Sequence, residues 1–92
     1  MRTKAKVTTF YTRGGSIASE QYIINIPWVG RYFQSYSRIV AFIDTEGKVF
    51  LDEDYWGFSV TTGKYRNEFL GEDKQTTIGK INSWEYILTS LN

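Results

Sequence analysis

The spacing of apolar and polar residues predicts strands in the first third of the chain. From Lys4 to Thr12, β-branched and aromatic residues alternate with polar ones, as in an outer strand with one solvated face. Gly14 and Gly15 interrupt this pattern, because glycine allows the positive φ angles of tight turns. Gln21 to Ile26 predicts a second strand, so the two strands would form a hairpin with its loop around Arg13 to Ser19.

The most apolar stretch, Arg38 to Asp44, predicts a central strand. Val40 and Phe42 fall on one face of this strand and other apolar residues fall on the opposite face, so both faces are expected to be covered. A polar break with glycine at Thr45 to Lys48 separates it from a second apolar run at Val49 to Leu51. This arrangement predicts a hairpin.

A helix is predicted to begin in the hydroxyl-rich segment Ser59 to Thr62, because hydroxyl side chains can accept hydrogen bonds from the free amides of a first turn. Tyr65 and Phe69 lie four residues apart and would form its buried face, and Gly71 marks its C-terminal end. The opposite face is expected to be the wetter one and carries Lys64, Arg66 and Asn67.

The remaining residues predict a short helix and a last strand. Lys74 to Asn82 has an inward stripe at Ile78 and Ile81, although several of its residues have poor helix propensity. Ser83 to Leu88 alternates as a strand does. The whole pattern predicts an α+β fold: a small, mainly antiparallel β-sheet with one well-capped helix and one short helix, in a single domain over residues 1–92.

Composition adds a dense aromatic core and several exclusions. The chain has 3 Trp, 7 Tyr and 6 Phe, enough large side chains to anchor the core of a 92-residue domain. It has no Cys and no His, which excludes disulfides, thiolate metal sites and Ser-His-Asp catalysis. The paired acids Asp52 and Asp54 lie in one short loop, which is weak support for a glycosidase cleft. We therefore expect no enzyme activity, no metal site and no cofactor.

Charge and hydropathy bear on location and partners. The formal net charge is +1, which favours neither a DNA mimic nor a strong binder of duplex DNA. The N-terminus lacks the apolar run of a signal peptide, and no segment approaches the roughly 18 apolar residues of a membrane span. A cytoplasmic protein without membrane contact is the expectation.

The segment WVGRYFQSYS after Pro27 interleaves aromatic residues with arginine and has two interpretations. Aromatic rings alternating with arginine can stack on bases and hold phosphates. The segment can also be a loop that tucks its aromatic side chains under the sheet. The second interpretation is favoured, because the chain lacks a fuller basic stripe.

About two thirds of the chain, residues 34 to 92, resembles small uncharacterised proteins of tailed phages and mobile elements. The shared features are a serine-tyrosine pair, an "IAFID" hairpin, a "YW" helix entry and a helix ending near "FLG". They correspond here to Ser35-Tyr36, Ile39 to Asp44, Gly47 to Leu51, Tyr55-Trp56, Phe58-Ser59, Thr61 to Asn67 and Phe69 to Gly71, with Trp84 to Leu88 near the end. The resemblance implies a phage or mobile-element context and carries over no functional residues.

The resemblance and the missing catalytic groups lead to one principal hypothesis. Small phage proteins without catalytic groups often act by stoichiometric binding to a host machine, so the chain would be an anti-CRISPR or other anti-defence inhibitor in the host cytoplasm. Its partner would be a host defence protein or a CRISPR effector complex. Interfaces concentrate binding energy in Tyr, Trp and Arg, and the expected partner-binding residues are Trp28, Arg31, Tyr32, Tyr36, Tyr55 and Trp56.

Two alternatives stay open at the level of the sequence. One is a single-stranded nucleic-acid-binding accessory protein that uses the aromatic segment together with the cations Lys4, Lys6, Arg31, Arg38, Lys64 and Arg66. The other is a sponge that sequesters a nucleotide signal, acting as a homo-oligomer.

Overall fold

The computed structural model describes residues 4–92, so residues 1–3 of the predicted domain lie outside the described residues. The predicted α+β class and its two helices are confirmed. Six strands form one sheet and two helices follow the fifth strand. The elements are β1 Lys6–Tyr11, β2 Ile17–Ile26, β3 Gly30–Ser35, β4 Arg38–Asp44, β5 Val49–Asp52, α1 Val60–Leu70, α2 Lys74–Asn82 and β6 Ile87–Thr89.

The sheet is a meander with one parallel addition. Strands β1 to β5 are neighbours in chain order and pair antiparallel, whereas β6 pairs parallel to β5 after the two helices. A meander places alternate turns at opposite ends of the sheet. The turns at residues 12–16 and 36–37 therefore share one end, and the turns at residues 27–29 and 45–48 share the other.

The segment predicted as an aromatic loop is a strand, and this prediction was wrong. Residues 30–35 form β3 inside the sheet, paired with β2 on one side and β4 on the other. The turns that bound β3 have no glycine at their left-handed positions. Trp28 (φ 69°) and Tyr36 (φ 55°) take the positive φ angles there, so the usual turn signal is missing.

Two other strands begin four residues from their predicted starts, whereas the bounds of β1 and β5 differ from the predictions by only one or two residues. β2 begins at Ile17 instead of Gln21, because the β1–β2 turn is confined to residues 12–16. The last strand is Ile87–Thr89 and not Ser83 to Leu88. Trp84 has a φ of 66° there, and the amide of Tyr86 donates to the carbonyl of Lys80, so this stretch closes α2 before the strand begins.

The helix signals predicted the helices well. Ser59 is the N-cap of α1 and accepts a hydrogen bond from the amide of Thr62, while Gly71 ends the helix with a left-handed φ of 71°. Helix α2 has the predicted bounds, and Asp73 is its N-cap. Neither helix in residues 4–92 is long and apolar enough to cross a membrane.

Both helices lie on one face of the sheet, where the core is aromatic. The ring of Phe33 is fully buried, 5.4 Å from the ring of Phe10 and 5.8 Å from that of Phe69. Tyr65 joins them at 5.3 Å from Phe10, as the predicted Tyr65–Phe69 stripe requires. These edge-on and tilted contacts fix α1 over the middle of the sheet.

Arg66 is not on a wet face of α1, which corrects the prediction. The side chain is 1% exposed and its guanidinium lies 5.4 Å from the ring of Trp56. It donates to the carbonyl of Trp56 and to the side chain of Asn67, both at 2.8 Å. Burial lowers the pKa of Arg66, a shift that the nearby charge of Glu72 opposes. The long side chain therefore joins α1 to the segment that precedes it.

A polar network fixes the second helix against the last strand. Burial raises the pKa of Glu72, but hydrogen bonds from Thr77, Tyr86 and Lys80 outweigh it and keep that pKa below its ordinary value. Burial and the same carboxylate raise the pKa of Tyr86 to about 12. This network ties both ends of α2 to the residue before β6.

Candidate functional site

An aromatic cleft of about 270 Å³ opens at the end of the sheet that holds the β3–β4 turn. Two chain segments supply its walls: the β3–β4 hairpin, and the connection between β5 and α1. We call it the aromatic cleft, and its lining residues are Ser35, Tyr36, Ser37, Arg38, Val40, Tyr55, Phe58 and Thr62.

The first wall is a two-residue turn that presents Tyr36 to solvent. Ser35 pairs with Arg38 across the hairpin, so Tyr36 and Ser37 are its only central residues. A turn with positive φ at the first central position favours glycine there. Tyr36 occupies that position and is 46% exposed. Such a backbone costs a bulky residue about 1 kcal/mol or more, so the local backbone alone would favour glycine at this position.

The second wall is held by the buried carboxylate of Asp52. One oxygen accepts from the amides of Asp54 and Tyr55 at 3.0 Å each, which folds the chain into a turn directly after β5. Burial raises the pKa of Asp52, but hydrogen bonds from Leu91, Asn92 and these two amides outweigh it and hold the pKa below its ordinary value. The wall is therefore built on a fully bonded anion.

Arg38 gives the aromatic cleft its charge. Its guanidinium lies 5.2 Å from the ring of Tyr55, within the range of a cation–π contact. Tyr55 also meets the ring of Phe58 edge-on at 5.6 Å. Arg38 is exposed and forms no ion pair among residues 4–92, so its charge faces the cleft opening.

The floor of the aromatic cleft consists of two hydroxyl groups that are hydrogen-bonded to each other and the apolar side chain of Val40. The hydroxyls of Ser35 and Thr62 are 2.9 Å apart and buried, and Ser59 donates to the same Thr62 oxygen at 3.1 Å. Because the hydroxyls satisfy one another, the floor contains no activated nucleophile. Chemically, the cleft can take a flat or aliphatic group against its rings and an acidic group at Arg38.

The structure brings together two of the six predicted partner-binding residues, Tyr36 and Tyr55. Arg38, predicted for the nucleic-acid alternative, joins them in the aromatic cleft. The others are dispersed. Trp56 covers the guanidinium of Arg66, and Arg31 lies over the ring of Phe69. Tyr32 stacks on Phe42 on the face away from the helices. Trp28 is in the turn at the far end of the sheet.

The cations of the nucleic-acid hypothesis do not form one stripe. Lys4 and Lys6 belong to the N-terminal edge, and Arg38 belongs to the aromatic cleft. Lys64 lines a broad groove along α1 together with Arg13, Lys74 and the buried Arg66. The buried Arg66 is no longer available as a free phosphate contact.

Sequence reasoning missed three exposed aromatic residues, Tyr11 of β1, Phe58 and Trp84. Phe58 is 65% exposed and lines the aromatic cleft, and Trp84 is 84% exposed at the far end of the sheet. A signal for Phe58 was available, since an apolar residue just before a helix N-cap often packs as a staple, and here it stays open. Trp84 follows the end of α2 in the place where a glycine or asparagine is common. No group of three potential metal ligands occurs in residues 4–92.

Trp28 carries the same backbone strain as Tyr36, and this leads to a prediction. Pro27 and Trp28 are the central residues of a turn closed by the amide of Val29 and the carbonyl of Ile26. A turn with proline first and positive φ second favours glycine or asparagine at the second position. Trp28→Asn should therefore raise the free energy of unfolding by about 0.5–1 kcal/mol, because Trp28 is 84% exposed and loses little packing.

Urea denaturation of the purified protein measures this change. Val29→Asn, at the adjacent residue without positive φ, is the control and should give no gain. A loss of stability in Trp28→Asn would mean that the indole ring makes a stabilising contact that its exposure does not indicate.

Comparison with known proteins places the chain in one family. No curated protein and no solved structure matches it. The model of the family described as "Family of unknown function (DUF8033)" matches residues 5–85, which is most of the chain. The protein therefore belongs to the DUF8033 family.

Proposed function

We propose that this chain is a phage-encoded, non-enzymatic inhibitor that binds a host defence protein or a CRISPR effector complex in the host cytoplasm. The aromatic cleft is its primary contact surface, with Tyr36, Arg38, Tyr55 and Phe58 as the binding residues. The phage context rests on the resemblance of residues 34 to 92 to small phage proteins. The binding role rests on the chemistry of the cleft.

The observation that carries the proposal is the backbone of Tyr36. A glycine at this turn position would remove the strain of a φ of 55°. The chain instead keeps a half-exposed aromatic ring beside Arg38 and two further exposed or part-exposed rings. Local strain that serves no packing purpose is typical of functional sites, and Tyr with Arg is the composition of binding hot spots.

The shape and charge of the aromatic cleft describe the complementary group on the partner. Its rings accept an apolar or aromatic side chain, and the charge of Arg38 favours a carboxylate beside it. A protein surface with an apolar residue next to Asp or Glu meets both requirements. The proposed mechanism is occupation of such a surface.

The position of Trp28 distinguishes a macromolecular partner from a small ligand. Strand β3 has six residues and separates the two turns by roughly 20 Å. A nucleotide in the aromatic cleft cannot span this distance, whereas an effector complex can contact both turns. Binding that is weakened by Trp28→Ala as well as by Tyr55→Ala would therefore argue against the nucleotide-sponge alternative.

The test is a plating assay on bacteria with an active defence system. The chain is expressed in strains that each carry one CRISPR type or another defence system, and a sensitive phage is plated on them. We expect the wild-type chain to restore plaques in at least one strain. Tyr55→Ala and Arg38→Ala should each reduce the restored plating by 10-fold or more, since a hot spot contributes about 2 kcal/mol or more to binding.

Val60→Ala is the matched control, because Val60 is 92% exposed on α1 and lies outside the aromatic cleft. It should plate as the wild type does, and circular dichroism must show that every variant is folded. Failure to restore plaques in any strain would contradict the inhibitor proposal. Retention of a single-stranded oligonucleotide in a gel shift that weakens steeply with salt would support the nucleic-acid alternative instead.

A further inference from the structure

The face of the sheet away from the helices carries an apolar row that crosses all six strands. The row follows directly from the pairing register, in which each member is opposite the next on the neighbouring strand. Directly paired residues share a face of the sheet. The members, in strand order, are Val7, Ile24, Tyr32, Phe42, Phe50 and Ile87.

This row, which we call the cross-sheet row, is packed side by side but stays open above. The rings of Tyr32 and Phe42 stack at 4.4 Å, and those of Phe42 and Phe50 at 5.9 Å. Val7 is 59% exposed, and the other five members are partly exposed. The adjacent residue Phe33 contacts Phe69 of α1, so the helices cover the opposite face.

The sequence of β4 predicted that both faces of the strand are covered, and among residues 4–92 only one face has a covering layer. A bulge between β3 and β4 turns Val40 into the core with its neighbour Ala41, which corrects the predicted alternation. Phe42 is left on the other face, where alternating strands of a solvated sheet usually carry polar residues. An apolar sheet face is stable when another layer packs on it.

The charges around the cross-sheet row favour a second copy of the same chain as that layer. The row itself has no charged member. Its border carries Asp44 and Lys48, of opposite sign, and the buried, hydrogen-bonded Asp52, and the ammonium of Lys48 lies 5.6 Å from the ring of Phe50. A nearly neutral face can pack on itself without like-charge repulsion.

The size of the face is in the range that a dimer requires. Six strands at about 4.8 Å spacing make a row roughly 24 Å long. The strands together hold 36 residues, and at about 3.3 Å per residue the flat face has roughly 570 Å² before side-chain relief is added, near the lower end of the ~600–1,000 Å² that each partner contributes to a standard stable interface.

We propose that two copies of the chain stack these faces about a two-fold axis and form a β-sandwich. With the axis between Tyr32 and Phe42, the cross-sheet rows of the two copies face each other in opposite order. Tyr32 then opposes Phe42, Ile24 opposes Phe50, and Val7 opposes Ile87 of the other copy. The order of the row suits this reversal, since its aromatic members are central and its ends are aliphatic. The aromatic cleft stays outside this interface, because its residues lie at the helix-bearing face.

Sedimentation equilibrium of the full chain tests the proposal. The wild type should sediment at twice the monomer mass at micromolar concentration. Ile24→Lys and Phe50→Glu should each raise the dimer dissociation constant by about 100-fold or more, because each buries two unpaired charges in the symmetric dimer. Val60→Glu, at an exposed position of α1, should leave the dimer dissociation constant unchanged.

Mixing the two variants gives the decisive result. In a heterodimer about the proposed axis, the introduced lysine of one copy faces the introduced glutamate of the other, so equimolar mixing should restore the dimer. Circular dichroism must show that both variants are folded. The separate variants Ile24→Ala and Phe50→Ala are the neutral control: each should weaken the dimer, and mixing the two should not restore it. A monomeric wild type at 0.1 mM (about 1 mg per mL for a chain of this size), or variants that remain dimeric alone, would overturn the proposal.

Discussion

Phe33→Ala should destabilise the protein by about 3–5 kcal/mol, the largest effect expected for a single substitution. The ring is fully buried between the sheet and α1 and contacts the rings of Phe10 and Phe69. Its removal loses the favourable free energy of transferring the ring from water to the core. It also leaves a cavity that β1, β3 and α1 cannot close, because these elements are fixed by their other contacts. Since a domain of this size has about 5–15 kcal/mol of stability in total, urea denaturation should show a large fall in the midpoint.

Phe58→Ala is the matched control for this substitution, because it makes the same chemical change at a ring that is 65% exposed. It should cost no more than about 1 kcal/mol. Equal losses in the two variants would contradict the burial that the structure assigns to Phe33, and with it the assignment of residues 30–35 to a central strand.

Asp52→Asn should lower the free energy of unfolding by about 2–3 kcal/mol at about pH 7, the second largest effect. The carboxylate is buried and accepts hydrogen bonds from the amides of Asp54, Tyr55 and Leu91 and from the side chain of Asn92. The isosteric amide keeps one acceptor oxygen and turns its NH₂ group towards donors. Both the Tyr55 wall of the aromatic cleft and the C-terminal residues lose their anchor.

The same substitution has a pH dependence with a defined sign. Because the folded protein holds the pKa of Asp52 below its ordinary value, the carboxylate stabilises the fold at every pH above about 3.9, the ordinary pKa of aspartate. This contribution is lost as the pH falls through the lower folded pKa. Below that folded pKa the protonated aspartate resembles asparagine, so the difference between wild type and variant should be smaller at about pH 3 than at about pH 7.

Denaturation curves at the two pH values measure this dependence, with the exposed Glu53→Gln as the control at an adjacent carboxylate. A difference between wild type and Asp52→Asn that is constant with pH would contradict the role of the charge. It would leave only the geometry of the side chain to explain the loss.

The elements that sequence reasoning predicted are those with local signals. Helix α1 has a hydroxyl N-cap, a Tyr65–Phe69 stripe and a terminal Gly71, all of which act within a few residues of one another. The hairpin of β4 and β5 has a glycine turn between two apolar runs. Such signals do not depend on the rest of the fold, so one sequence suffices to find them.

Strand β3 escaped prediction for a reason that also concerns function. Each of its two turns has an aromatic residue, Trp28 or Tyr36, at a left-handed backbone position where glycine usually indicates a turn. The sequence therefore reads as a continuous aromatic segment. The aromatic residues at these turn positions made the strand hard to predict, and the same residues are exposed to solvent.

The site could be predicted in part for a related reason. Residue type alone pointed to Tyr36 and Tyr55, but their meeting with Arg38 and Phe58 depends on the pairing of β3 with β4 and on the turn at Asp52. The burial of Arg66 depends on the same packing, since its guanidinium reaches the carbonyl of Trp56 ten residues earlier. Neither contact has a signal in the local sequence.

Tyr36→Gly separates the binding role of the tyrosine from its backbone strain, with activity measured in the plating assay and stability by urea denaturation. We expect a stability within about 1 kcal/mol of the wild type, because relief of the positive φ offsets the lost packing, together with a loss of restored plating. Tyr36→Phe, which keeps the ring on the same strained backbone, should retain activity. A folded Tyr36→Gly that restores plaques as well as the wild type does would contradict the claim that this strained aromatic residue is retained for binding.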